Sequence, residues 1–196
     1  VLDSRPASYW KLGESEGTAA ESAVEANLGK DRGTGTDLTL GAAGAITGAP
    51  GTAAGFNGST SRVTLPSGTL KKSRDLAVEV WFKTPATGVG GPLIGYQDKA
   101  WGTAPGVGVP ALYVGTDGKL RGQFWTGTAA PITDTTKNVN DGQWHHAVLS
   151  VSGSTQSLYL DGKLSGTLTG KQLTADGLTH NQIGAARASA PASWPG

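Results

Sequence analysis

Short alternating runs closed by Asp-Gly and Asn-Gly pairs set the limits on what this chain can fold into. Asp117-Gly118 and Asp161-Gly162 each stand between two such runs, and Asn57-Gly58, Asp141-Gly142 and Asp176-Gly177 repeat the signal. A two-residue hairpin turn needs positive φ, which Gly adopts freely and Asn or Asp tolerates. Gly fills 31 of the 196 positions, about twice its ordinary ~7% share. A helical bundle is excluded, and many short strands joined by tight turns are expected.

The runs fall at residues 62–65, 76–83, 92–97, 111–114, 119–125, 144–151 and 157–160. That spacing predicts an all-β sandwich or barrel. Within 76–83, Val78, Val80 and Phe82 share one face, while Ala77, Glu79, Trp81 and Lys83 share the other. Trp10, Trp81 and Trp144 are expected in the core. Residues 115–122 (GTDGKLRG) and 159–166 (YLDGKLSG) read as two hairpins of the same chemistry. Residues 41–55 read as loop with at most one short strand, and 19–30 as at most one helical turn. Because Tyr9, Trp10 and Leu12 precede that stretch and need a core to enter, residues 1–196 form one domain.

Sixteen basic residues against fifteen acidic leave a net charge of +1, so no nucleic acid or anionic membrane is expected as a partner. No apolar run approaches the length of a membrane span. With no Cys, disulfides, thiolate metal sites and Cys nucleophiles are excluded. A Gly-, Thr- and Ala-rich chain without Cys or Met fits a secreted bacterial protein, extracellular or at the cell surface.

Asp141-Gly142-Gln143-Trp144-His145-His146, followed by Leu158-Tyr159-Leu160-Asp161-Gly162, resembles the laminin-G-like jelly-roll domains of the concanavalin A-like lectin/glucanase superfamily. Tyr9 to Glu14 looks like the first strand of such domains and Phe56-Asn57-Gly58 like their F-D-G element. Residues 78–82 look like the central strand, and Ile183-Gly184 like the late I-G pair. The resemblance implies a two-sheet antiparallel jelly roll. It also implies a last strand that nothing after Ile183-Gly184 matches. A fragment, a nicked parent chain or a strand donated by a second piece would each account for this.

The same resemblance frames the candidate sites. Glucanases of the superfamily carry paired carboxylates on one strand, and here Glu79 stands without a partner acid, so no enzyme activity is expected. One structural calcium ion is implied, with Glu14 at the N-terminal ligand position and Asn27, Asp31 and Asn57 as weaker ligands. His145 and His146 point to opposite faces of a strand and cannot readily share one ion. Alternation in 119–125 sends Leu120 and Phe124 one way and Arg121, Gln123 and Trp125 the other. The latter three offer a ligand-binding face of stacking plane, guanidinium and amide, with Tyr96 and Tyr113 joining from neighbouring strands. Glu79 would join them if its strand lay in the same sheet, and Trp101 stands in an exposed loop. The chain thus reads as a non-catalytic, lectin-like recognition module of a larger extracellular protein, its partner a glycan. A structural or protein-interaction module, docking a surface protein, is the alternative.

Overall fold

The computed structural model describes residues 1–27, 31–46, 48, 51–70, 75–86, 90–174 and 177–187. The strands predicted from residue 62 to 160 form, each lengthened or trimmed by a few residues, whereas Tyr9 to Glu14, which looks like a first strand in the sequence, makes only the isolated bridge Trp10–Ser22. In chain order they are β1 (Ala19–Ala20), β2 (Gly33–Thr36), β3 (Thr39–Ala43), β4 (Thr52–Gly55), β5 (Arg62–Thr64), β6 (Asp75–Lys83) and β7 (Gly91–Gln97). The second half adds β8 (Gly108–Val114), β9 (Leu120–Gly122), β10 (Ile132–Thr133), β11 (Trp144–Ser152), β12 (Thr155–Leu160), β13 (Lys163–Leu168) and β14 (His180–Ile183). Two single 3-10 turns, Leu2–Ser4 and Glu25–Asn27, are the helical elements among the described residues.

An eight-stranded sheet runs β1-β2-β5-β14-β7-β8-β9-β10, and a four-stranded sheet runs β13-β12-β11-β6. All pairings within them are antiparallel. The two sheets close on one core. Leu112, Leu120 and Phe124 come from the larger sheet and its exit, and Ala147, Leu149 and Leu158 from the smaller; each is at most 1% exposed. Period-two alternation drives this, since β11 and β12 each bury every second residue. A smaller cluster of Ala20, Val63 and Leu65 takes up Trp10, Leu12, Leu38, Phe56 and Ile183. The early aromatic segment therefore finds a core.

The turn chemistry holds where the hairpins form. Asp161 and Gly162 both take positive φ, 49° and 77°, the twist that joins β12 to β13 without splaying them. Gly118 takes 75° between β8 and β9. Asp176 lies outside the described residues.

Three expectations are corrected. Residues 41–55, read as loop, contain the arms of a β3–β4 hairpin; its small residues lack the large apolar alternation that marks a strand. Residues 19–30 hold β1 as well as a 3-10 turn. Trp81 is 53% exposed and leaves the core altogether. It stands on the outward face of β6 with Glu79, as its parity with Glu79 requires, and Trp144 on β11 is likewise only half-buried. A large ring favours the core, but in a one-sided sheet alternation decides the face.

Among the described residues β6 has one strand neighbour, β11, and its other edge is open. Residues 188–196, which include Ser193 to Gly196, lie outside the described residues.

Candidate ligand-binding face

The structure separates the residues predicted to form one ligand face. Arg121 on β9 pairs directly with Tyr113 on β8, so these two do share the outer side of the larger sheet. Arg121 is 8% exposed and grips Asp117 with both terminal nitrogens, at 2.7 and 2.8 Å. That bidentate hydrogen bond holds the Asp117 carboxyl down at about 2, and burial raises the Tyr113 phenol to about 12. Gln123 is fully buried. Its amide nitrogen donates to Thr126 Oγ1 (3.1 Å) and the Thr128 carbonyl (2.9 Å), and its oxygen accepts from the Ala130 amide (2.7 Å). Both side chains are committed to the loops that flank β9.

Tyr96 faces the other way. It sits in the sandwich core at 2% exposure, its hydroxyl accepts from the Trp125 amide at 2.5 Å, and burial pushes its phenol far up. Trp125 is half-buried and packs against the same core. Glu79 belongs to the opposite sheet, where its Oε1 lies 3.0 Å from His146 Nε2 and where Trp81 tilts against the imidazole at 4.9 Å. The constellation predicted around residues 119–125 is thus split among three places.

His145 and His146 diverge as expected. His145 is 3% exposed, with Nδ1 2.9 Å from Asp161 Oδ2 and Nε2 3.2 Å from Asp141 Oδ1. The two aspartates are the D-G turn residues of the motif, so the histidine ties both turns together. Each calcium candidate makes a hydrogen bond within the chain. Glu14 Oε1 accepts from the Glu21 amide (3.0 Å), and Asn27 donates to the Ala7 carbonyl (2.5 Å). Asn57 Oδ1 caps the amides of Ser59, Thr60 and Ser61, and Asp31 accepts from Ser8 Oγ at 2.6 Å. Among the described residues no group of three His, Asp or Glu side chains gathers, so no binding step is assigned to the ion.

Trp101 marks the part of the outer face that sequence reading otherwise missed. Ile183 packs into the smaller core, and Asn181 opposes core-facing Tyr96, so His180 and Gln182 on β14 point outward. Arg62 on β5 and Gln97 on β7 flank core residues Val63 and Tyr96 and point outward too. Two segments cover this area. Residues 98–107 reach from β7 across to β5, bringing the Trp101 ring centre within 5.2 Å of the Arg62 guanidinium. Residues 185–187 cross the strands at Gly95 and Gly108, where an added Cβ would lie 2.5 Å from Ala186 Cβ and 1.8 Å from the Arg187 carbonyl oxygen. Arg187 places a second guanidinium 5.1 Å from the Trp101 ring centre.

Beneath these segments polar atoms are left without partners. Gln182 is 0% exposed, yet neither its Nε2 nor its Oε1 has a hydrogen-bond partner. Gln97 is equally buried; its Nε2 donates to the Lys99 carbonyl at 2.8 Å, while its Oε1 has no partner. Arg62 Nε is buried and unpartnered as well. Buried polar groups are nearly always paired, so these atoms are exceptions on this face. The adjacent amides Asn181-Gln182 inside a strand were the available signal in the sequence.

A two-sheet antiparallel sandwich with a polar cradle on the outer face of its larger sheet defines the class. The chain belongs to the concanavalin A-like lectin/glucanases superfamily, whose Laminin_G_3 model matches residues 57–196. Comparison with curated protein sequences gives no match. Among solved structures, Trypanosoma rangeli sialidase in complex with a difluoro-KDN ligand is similar at a TM-score of 0.57 and 17% identity, over 94% of this chain and 27% of that one. Domain 4 of AbnA, an extracellular GH43 arabinanase from Geobacillus stearothermophilus solved with arabinotriose, gives 0.51 and 20%, over 81% and 70%. The binding domain of Paraclostridial Mosquitocidal Protein 1 gives 0.51 and 14%, over 93% and 49%. The chain spans about a quarter of the sialidases' length, and these likenesses establish the fold.

Proposed function

We propose that this chain is a non-catalytic carbohydrate-recognition module of a larger extracellular or cell-surface protein, and that it binds its glycan under Trp101. The observation that carries the reading is Gln182, fully buried with both amide atoms unpartnered. A side-chain amide offers a donor and an acceptor side by side, the complement of vicinal sugar hydroxyls. Leaving it buried without a partner costs about 1–3 kcal/mol, which a hydroxyl-bearing ligand would recover by displacing the covering residues 98–107 and 185–187. Trp101, Gln97 and Arg62 supply apolar surface and further donors and acceptors around it. The arabinotriose complex of the similar arabinanase domain supports the ligand class.

Most glycosidases use two carboxyl groups across the scissile bond. Glu79 faces an imidazole instead, which supports a module without catalysis. The protein-docking alternative draws on the other sheet, where exposed Trp81 lies on β6, a strand with one unpaired edge among the described residues. A glycan array probed with the wild type and with Gln182→Met separates the two. Hits that vanish in the variant support recognition at this face. A blank from folded protein, or hits indifferent to the substitution, would overturn the reading.

A further inference from the structure

We infer that residues 98–107 form a lid over Gln182 and Gln97, with Trp101 as its catch, and that the glycan enters when this loop lifts. The inference rests on the recognition reading above and adds how that site is opened. The loop leaves the end of β7 and returns at the start of β8. On the way it passes over β14, which lies between β7 and β5, and sets Trp101 against Arg62 on β5.

The loop is weakly seated. None of residues 98–107 is fully buried, and none belongs to either core cluster. Its own bonds close on themselves: the Asp98 amide donates to the Val107 carbonyl (3.0 Å), the Thr103 amide to the Ala100 carbonyl (3.1 Å) and the Gly106 amide to Asp98 Oδ1 (3.0 Å). A loop tied in this way can swing about its base without breaking those bonds. Beneath it, Gln182 Nε2 and Oε1, Gln97 Oε1 and Arg62 Nε have no partner. Each is penalised while the lid is shut and relieved once water or a sugar hydroxyl reaches it, so closure is undermined by the groups it hides. Few buried contacts and a destabilised closed form place a segment at the low end of local opening free energies.

Trp101 holds the loop down. Its ring centre lies 5.2 Å from the Arg62 guanidinium, carried by the sheet, and 5.1 Å from that of Arg187, carried by residues 185–187. Each cation attracts the indole from its own segment, whatever their placement around the ring. The indole therefore ties the loop to the sheet and to the second covering segment. Residues 185–187 sit more firmly. Ala185 is buried, and a Cβ on Gly95 or Gly108 would lie 2.6 Å from the Ala185 carbonyl oxygen or 1.8 Å from that of Arg187. The loop is thus the part that lifts first, once the indole lets go.

Side-chain amide exchange, followed by NMR on the folded chain without ligand, reads the lid directly. The amide hydrogens of Gln182 and Gln97 should exchange through local opening. Those of Gln123, equally buried but bonded to Thr126 and Thr128, should wait for global unfolding. Arg187→Gln takes away half of the catch at an exposed position. It should speed exchange at Gln182 roughly two- to fivefold with the circular dichroism spectrum unchanged. Gln182→Met removes an unpaired amide from beneath the lid and should slow exchange at Gln97 roughly tenfold. Exchange at Gln182 as slow as at Gln123, or rates indifferent to both substitutions, would overturn the lid. A glycan array run on the wild type and on Arg187→Gln keeps the two readings apart. Hits that brighten in the variant support entry under the lid. Hits that stay the same while exchange quickens would overturn that route and leave recognition standing. A blank array from protein with the expected exchange would overturn the recognition reading, and with it the lid's part in binding.

Discussion

Replacing Gln182 by Met should make the unliganded protein more stable. The side chain is fully buried and both of its amide atoms lack partners. Met keeps the length and nearly the volume, so repacking costs less than about 1.5 kcal/mol. Removing an unsatisfied buried amide returns about 1–3 kcal/mol. A net gain of about 1–2 kcal/mol is expected, which for a chain of this size raises Tm by roughly 2–8 °C. Gln123 supplies the control. It is buried to the same degree, but its amide serves Thr126, Thr128 and Ala130. Gln123→Met should therefore cost about 2–4 kcal/mol by orphaning the Ala130 amide and the Thr128 carbonyl. Urea unfolding of the two variants and the wild type, without ligand, reads both effects on one scale. The opposite signs are the test. A loss of 1 kcal/mol or more in Gln182→Met would refute the reasoning, since the amide would then be working for the fold and not held for a ligand.

Gly184 takes φ of 74°, and a Cβ there would lie 2.3 Å from Phe56 Cδ1; Gly184→Ala should cost about 2–4 kcal/mol in the same urea assay. Burial raises the Asp161 carboxyl, but the His146 amide, Lys137 and His145 outweigh it and hold the group down at about 2. A depressed carboxylate contributes stability that is full above its unfolded value near 4 and is lost as pH falls toward 2. With the side chain one-third exposed (33%), the loss is on the order of 1 kcal/mol after solvent screening, and Asp161→Asn should flatten the acid limb of a stability–pH curve. Trp81→Ala should change the unfolding midpoint little, by under about 1 kcal/mol as for other surface sites, whereas Phe124→Ala should cost about 3–5 kcal/mol. Equal losses would place Trp81 in a core, contrary to its 53% exposure.

Much of the fold could be read along the chain because its determinants are local. Positive-φ turns at Asp117-Gly118 and Asp161-Gly162 need only the residues that make them, and alternation assigned the faces of β11 and β12 without knowledge of any neighbour. The same rule placed Trp81 beside Glu79 on one face, and it was the habit of counting large aromatics as core that went astray. The hairpin of β3 and β4 was hidden because Ala, Gly and Thr carry almost no face signal. Its pairing comes from backbone hydrogen bonds, which every residue offers alike.

The site was less legible, for a physical reason. A sequence shows which residues carry donors and acceptors but not which of those groups find partners. Arg121 and Gln123 had the chemistry of a ligand face, and the loops at 115–119 and 126–130 consumed it. Gln182, Gln97 and Arg62 carried similar chemistry unremarked, and became a cradle only when residues 98–107 and 185–187 folded over them and took away water without replacing its hydrogen bonds. Turn conformation and period-two burial were enough to specify an all-β sandwich, and the motifs at 141–146 and 158–162 carried the resemblance to the concanavalin A-like kind. Tertiary structure decided which polar groups were left over, because satisfaction of a hydrogen bond depends on what long-range packing brings to it.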